Sequence, residues 1–406
     1  MKIGILQETK RPSDLRVPLT PNDCKQLLDR YPNVQIFLQP CKNRCFTAVE
    51  YRQANVQIAD DLTHCDLLLG VKEVNKNALI ANKKYLFFSH TIKKQSQNRA
   101  LLQAILDQNI TLMDYEAITD DSGTRQVAFG HFAGIVGTHN AFVAWGKRTK
   151  QYNLMPAHAC FDYAEMKKYY HDMVLFPLKI AVTGSGRVAA GAIELLKIVG
   201  IEQVLPTDFL TKSYTKPVFC QLKSQHLYQH KSNEKPFDRT DFHQHPSHYD
   251  SLFLPYAKVA DWLINCIYWS PEAPRLFEKK DMKQTDFNIR LIADISCDIN
   301  GSVPATMRST TIHEPVMGYD ALGECESLPY QKHTIDIMAV DNLPCELPRD
   351  ASTEFSRQLA QHFMPKLIDI DATQNDVVRR ATIAKDGKLT KDFNYLDDYV
   401  NELETT

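Results

Sequence analysis

Over the first 120 residues, short apolar runs alternate with stretches of helical spacing: KIGILQ, NVQIFLQ, DLLLGVK, YLFFSH and TLMDYE are separated by segments such as NRALLQAILDQN. Such alternation predicts strands of a mostly parallel sheet with helices on its faces. The crossovers are then right-handed, while the lateral order of the strands stays open. A second unit opens with LKIAVTG at Leu178, and residues 187–199 after it carry Val188, Ala192, Leu195, Leu196 and Val199 at helical spacing. Residues 209–256 turn polar, rich in Lys, His, Ser and Gln, which predicts a long excursion on the surface. Regularity returns with VADWLINCIYW, RLIADIS and TIDIMAV, which complete a second sheet. Near the end, a Pro-bounded loop leads into a helix with Phe355, Leu359 and Phe363 on one face. Such a helix needs a domain to pack on. It is expected to return to the first one, giving a discontinuous domain of residues 1–142 plus 343–406 and a second of residues 143–342.

A chain of 406 residues is long for one core and fits two domains, with a cleft between them as the default place for a site. Lys and Arg number 47 against 49 acidic residues, for a formal charge of -2, so no field recruits nucleic acid and no local basic patch stands out. The apolar burst in MKIGILQETK is too short for a secretory segment and no run is long enough to span a bilayer, so a cytoplasmic protein, a monomer or small homo-oligomer, is expected. The ten cysteines are scattered, and Cys41 and Cys45 lack partners to finish a zinc site, so reduced thiols are expected. His243, His245 and His248 in DFHQHPSHYD read as a surface loop, and no metal is expected.

The sharpest local signal is VTGSGRVAAG, where Gly184 and Gly186 lie between an apolar strand and a helix, with Ala189 and Gly191 in its first turn. Glycines there allow a tight turn and let backbone N–H groups approach a pyrophosphate at the helix N-terminus. A small-residue packing contact is the plainer alternative. Asp208, near the end of the next expected strand EQVLPTD, stands where an acid would hold the ribose hydroxyls of NAD, or it caps a turn; NAD against NADP is left open. In the first unit, Arg16, Lys72, Glu73, His90 and Glu116 each fall at or just beyond the end of an apolar run. Ligands of open parallel sheets bind beyond the carboxyl ends of strands, so several strands would deliver cations, acids and a base to one edge.

At these residues the chain resembles the family of alanine dehydrogenase and the transhydrogenase alpha subunit and, more closely, saccharopine dehydrogenase and the lysine-ketoglutarate reductase domain. The resemblance is carried in order by ETKRPSDLRVPLTP, GVKEV, FFSHTIKKQ, DYEAITDDSGTRQVAFGHFAG, GSGRVAAGA, LINCIYW, IADIS and VDNLPCELPRDAS, over nearly the whole chain. It implies an α/β fold of two Rossmann-like domains. It also implies hydride transfer between NAD or NADP and saccharopine, giving L-lysine and 2-oxoglutarate. In that reading Lys72 is the base on the secondary amine and His90 the acid-base group for hydration and collapse of the imine. Arg16, Lys93 and Arg125 bind substrate carboxylates, and Glu73 and Glu116 tune the charges of the catalytic pair. The dinucleotide falls to Gly184, Ser185, Gly186, Arg187, Val188, Asp208 and Ile267, with Asp341 and Leu343 in the loop VDNLP. The His-rich excursion departs from shorter relatives. The nearest alternative is an alanine dehydrogenase-like amino-acid dehydrogenase, which shares Arg16, Lys72 and His90, whereas Glu116 and Arg125 argue for the larger substrate. A nucleotide-binding regulator without turnover is the reading from another class, and intact Lys72 and His90 argue against it.

Overall fold

A computed structural model describes residues 1–10, 13–232, 235–369 and 375–402. The chain divides into two compact units, Met1–Phe129 with Pro348–Thr406, and Gly130–Leu347.

In the first unit, β1 (Lys2–Ile5), β2 (Gln35–Leu38), β3 (Gln57–Ile58), β4 (Leu67–Leu69), β5 (Lys84–Phe87) and β6 (Thr111–Asp114) pair in parallel, in the order β6-β5-β4-β1-β2-β3. Two C-terminal strands, β17 (Thr382–Lys385) and β18 (Lys388–Leu389), extend the β6 edge antiparallel. Ile3, Ile5, Leu68, Leu69, Leu86 and Phe87 are fully buried, which is why these strands read as continuous apolar runs rather than alternating ones. The helix Pro348–His362 does return to this core: Phe355, Leu359 and Phe363 are buried in it. Its Ser352 and Ser356 hydroxyls accept the backbone N–H groups of Val17 and Thr20 at 2.9 and 2.8 Å, tying the segment that carries Arg16 to the helix.

The second unit contains β7 (Lys179–Thr183), β8 (Glu202–Gln203), β9 (Val218–Leu222), β10 (Tyr228–His230), β11 (Tyr249–Ser251), β12 (Trp262–Asn265), β13 (Leu291–Asp294), β14 (Val316–Asp320), β15 (Cys325–Ser327) and β16 (Thr334–Met338). Its main sheet runs β15-β14-β16-β13-β12-β7-β9-β8, parallel except at the β14 and β15 edge, while β10 and β11 form a separate hairpin. The helix Gly130–Thr149 lies wholly in this unit. A Cβ on Gly134 would stand 1.9 Å from the Val188 carbonyl, and one on Gly191 2.0 Å from that of His131. The two helices touch backbone to backbone through these glycines, which only a missing side chain permits. That contact ties the helix Gly130–Thr149 to the second unit.

Residues 209–256 correct the expectation of a surface excursion. They supply β9, a central strand, together with the hairpin, and bury Phe209, Phe219, Leu222, Leu227, Tyr249 and Phe253. The polar composition masked a short apolar run, VFCQL, flanked by lysines. No helix among the described residues is long and apolar enough to cross a membrane.

Candidate active site

Because β4, β5 and β6 are neighbours in register, with Leu69 opposite Leu86 and Phe87 opposite Asp114, the chain leaves all of them at one edge. Lys72 and Glu73 follow β4, His90 follows β5 and Glu116 follows β6, so the structure brings these sequence-predicted residues together. His90 Nδ1 meets Glu73 Oε1 at 2.5 Å, and Lys10 Nζ donates to Glu73 Oε2 at 2.9 Å. Burial would raise the Glu73 carboxyl, but these bonds outweigh it and hold it at about 2. His90 adopts φ of +52°, a left-handed backbone costly for a residue with a side chain, and its ring stacks on Phe88 at 6.1 Å. Glu73 thus takes the Nδ1 side of the ring.

Glu116 Oε1 lies 3.5 Å from both Lys93 Nζ and Arg125 Nη1, whereas Glu116 Oε2 is buried with no hydrogen-bond partner. Arg16 is 3% exposed and forms a bidentate pair with Asp14, Nε to Oδ1 at 2.9 Å and Nη2 to Oδ2 at 2.6 Å. Against the opposing effect of burial, that pair keeps Asp14 far below the usual carboxylate range. Both guanidiniums rest on an aromatic floor: Arg16 over Phe129 at 4.1 Å and Arg125 over Phe88 at 5.3 Å. Planar cations held this way present their remaining N–H groups at fixed angles.

Three residues missed in the sequence shape this edge. Glu8, just past β1, accepts the N–H groups of Val71 and Lys72 at 2.6 and 3.0 Å, and burial lifts its carboxyl to about 7. Asp14 neutralises Arg16. Asp114, the last residue of β6, accepts the Ser89 N–H at 2.8 Å and the Glu116 N–H at 2.7 Å, pinning the two loops to each other; burial raises its carboxyl. The same strand-end rule that selects His90 selects Glu8 and Asp114. A cavity of about 230 Å³ adjoins Glu8, Lys72 and Glu73. Another, of about 210 Å³ and lined by Met1, Lys84 and Arg379, lies at the starts of these strands, away from this chemistry.

In the second unit, β7 is followed by Gly184, whose φ of +95° and whose notional Cβ, 2.9 Å from the Cys266 carbonyl, both require glycine. Ser185 and Gly186 are exposed. Gly186 opens the helix Arg187–Ile198 with no side-chain cap, and nothing lies within 4 Å of where its Cβ would be. Uncapped N–H groups beneath open space fit a pyrophosphate, with Arg187 and Val188 in the first turn. Ile267 follows β12 and packs beside Gly184. Asp341 is exposed, and the next residue, Asn342, has φ of +74°, while Leu343 is 2% exposed and lies against Gly137, so its side chain is core. A buried network missed in the sequence locks the strand ends: Thr183 donates to Asn265 at 2.8 Å, and Asn265 and Thr306 donate to Asp294 at 2.8 and 2.6 Å.

Asp208 is a correction. It lies on the helix Pro206–Thr211, paired with Lys212 at 3.0 Å, not at a strand end. The strand beside β7 is β9, which ends at Leu222 and is followed by Lys223 and Ser224.

Two mostly parallel sheets, one ending in paired charges and the other in a glycine turn, define the two-domain fold of the alanine dehydrogenase class. A solved L-alanine dehydrogenase matches it with TM-score 0.65 at 15% identity, over 98% of this chain and 100% of that one. A transhydrogenase from Sinorhizobium meliloti matches with TM-score 0.57 at 12% identity, over 96% and 100%. Residues 4–136 match the family model described as the alanine dehydrogenase/PNT N-terminal domain. In sequence, the chain is a homologue of alpha-aminoadipic semialdehyde synthase and saccharopine dehydrogenase. It is 31% identical to the synthase of Arabidopsis thaliana over 97% of this chain and 41% of that protein, and 30% identical to the Rattus norvegicus synthase over 94% and 46%. It is 24% identical to the saccharopine dehydrogenase (NAD(+), L-lysine-forming) of Emericella nidulans over 92% and 93%. The chain thus spans less than half the length of the synthases it matches.

Proposed function

We propose that this chain interconverts saccharopine with L-lysine and 2-oxoglutarate, using NAD or NADP. The observation that carries the reading is the convergence of Lys72, the Glu73–His90 pair and the Glu116–Lys93–Arg125 cluster on three adjacent strand ends. Saccharopine bears three carboxylates, and Arg16, Lys93 and Arg125 supply cations for them. Glu116 Oε2, buried and unpaired, suits a substrate ammonium. When bound, the nicotinamide accepts or supplies the hydride at the substrate carbon that joins the nitrogen to the glutamate-derived carboxylate.

In the oxidative direction Lys72 takes the proton from the secondary amine, which becomes an imine as the hydride leaves. His90, through Nε2, takes a proton from the water that adds to the imine carbon. It then returns a proton as the carbon–nitrogen bond breaks, leaving 2-oxoglutarate and the amine of lysine. Glu73 holds the ring in position and stabilises its charged form. In reverse, the same groups condense and reduce.

The exposed Gly186 turn would hold the pyrophosphate, with Ile267 and Asp341 beside it. Lys223 and Ser224 beyond β9, where a ribose-binding acid would stand, favour the 2'-phosphorylated dinucleotide. Purified protein should oxidise NADPH in preference to NADH, and only when lysine and 2-oxoglutarate are both present. Comparable turnover with pyruvate and ammonia would overturn the reading in favour of an alanine dehydrogenase activity.

A further inference from the structure

We propose that the dinucleotide-binding unit carries a divalent transition-metal site made by His230, Asp241 and His248, of a chemistry best suited to Zn²⁺. One potential ligand atom from each of the three lies within 4.8 Å of the others. They are brought together by long-range pairing. β10 and β11 run antiparallel with His230 opposite Tyr249, so His230 and His248 meet at the loop end of the hairpin, where the Lys231 N–H donates to the His248 carbonyl at 2.8 Å. Asp241 comes from the helix Arg239–Gln244, whose cap, Asp238, accepts the Asp241 N–H at 2.8 Å.

The surroundings orient the carboxylate. The Tyr249 hydroxyl donates to Asp241 Oδ2 at 2.8 Å, leaving Oδ1 for a cation and providing the supporting contact that metal-binding carboxylates ordinarily have. Tyr249 is in turn wedged between His230 and Phe242, with ring centroids 5.2 Å from each. Lys231, next to His230 in the chain, turns its ammonium onto the Ser247 carbonyl at 2.7 Å. His245 stacks on His248 at 5.1 Å, whereas His243 turns toward Phe242. The trio is therefore not the run of histidines that stands out in the sequence.

Two imidazoles and one carboxylate, with no thiolate, suit a borderline divalent ion such as Zn²⁺ and leave a fourth position for water. Tetrahedral bonding at ordinary lengths places ligand atoms roughly 3.4 Å apart, so the site must contract as it fills. Ser232 donates its N–H to His230 Nδ1 at 2.9 Å. A metal on either nitrogen of that ring gives up this contact, a loss that a metal–nitrogen bond offsets. The bound ion would clip the helix to the hairpin, in the segment that follows Lys223. The proposal does not depend on the lysine chemistry, because none of its residues belongs to that site.

The test uses the full chain after chelator dialysis, titrated with Zn²⁺ by calorimetry and with Co²⁺ by visible absorption. We expect one ion per chain, a Co²⁺ spectrum without a thiolate charge-transfer band, and a higher melting temperature in metal. Asp241→Asn and the double variant His230→Ala/His248→Ala should each weaken binding roughly tenfold or more, while His243→Ala should leave it unchanged. Failure to bind, a thiolate band from the cysteines, or full affinity in a folded Asp241→Asn protein would overturn the site.

Discussion

The two carboxyl edges are built in opposite ways. The edge of the first sheet is crowded with ionisable side chains already paired among themselves: Arg16 with Asp14, His90 with Glu73, and Lys93 and Arg125 with Glu116. The edge of the second presents bare backbone at Gly186, and its strand ends are joined by a buried network of Thr183, Asn265 and Asp294. If, as proposed, these charges receive several substrate carboxylates, they need temporary partners, because an unpaired buried charge is expensive. A pyrophosphate needs fixed N–H groups and room, so the second edge contributes shape more than charge.

That contrast can be broken most severely at the acid-base pair. Lys72→Met and His90→Gln should each lower kcat by roughly a hundred- to ten-thousand-fold while the melting curve stays close to that of the parent. Losses that combine less than additively in the double variant would mark one shared network. A folded double variant with near-normal turnover would return both residues to a structural role.

At the second edge, Gly186→Val should weaken dinucleotide binding by about tenfold or more with little change in folding, because the side chain fills the approach to the helix N-terminus. Equilibrium binding of NADPH reads this directly, and undiminished affinity would reduce the turn to a packing feature. A smaller effect separates the two dinucleotides. Lys223→Glu should lower NADPH affinity by several-fold, about 1 kcal/mol, and leave NADH almost untouched. Equal losses for both would show that Lys223 does not read a 2'-phosphate.

An effect on stability rather than on turnover or binding sharpens the electrostatic side. Glu8 is an acid whose folded value, about 7, lies above its ordinary 4.5, so the folded state binds its proton more tightly than the unfolded chain does. The stability cost of ionising it appears as pH rises through that window and is complete above about 7, at roughly 1–3 kcal/mol. Glu8→Gln should flatten the stability profile between these pH values in chemical denaturation, and an unchanged slope would show that Glu8 ionises freely. Glu73 has the opposite sign. Its hydrogen bonds with His90 and Lys10 stabilise the fold above the ordinary carboxylate range, and that contribution is lost only as pH falls toward about 2.

The sequence by itself determined the strand ends and the glycine turn. An apolar run must stop where the chain leaves the sheet, so Lys72, His90 and Glu116 announced their positions locally, as Gly184 did through a conformation that only glycine adopts easily. The C-terminal helix was equally legible from Phe355, Leu359 and Phe363. What the tertiary structure alone decided was lateral order. Asp208 follows an apolar run just as His90 does, yet β9 inserts between β7 and β8, so the strand beside β7 is the one that Lys223 follows. The apolar stretch Val218–Leu222 was masked by the polar residues around it, and its place beside β7 is settled by burial on both faces of a sheet assembled from distant segments. The meeting of His230, Asp241 and His248 was hidden for the same reason: hairpin register and a helix cap, not spacing along the chain, bring them within reach of one ion.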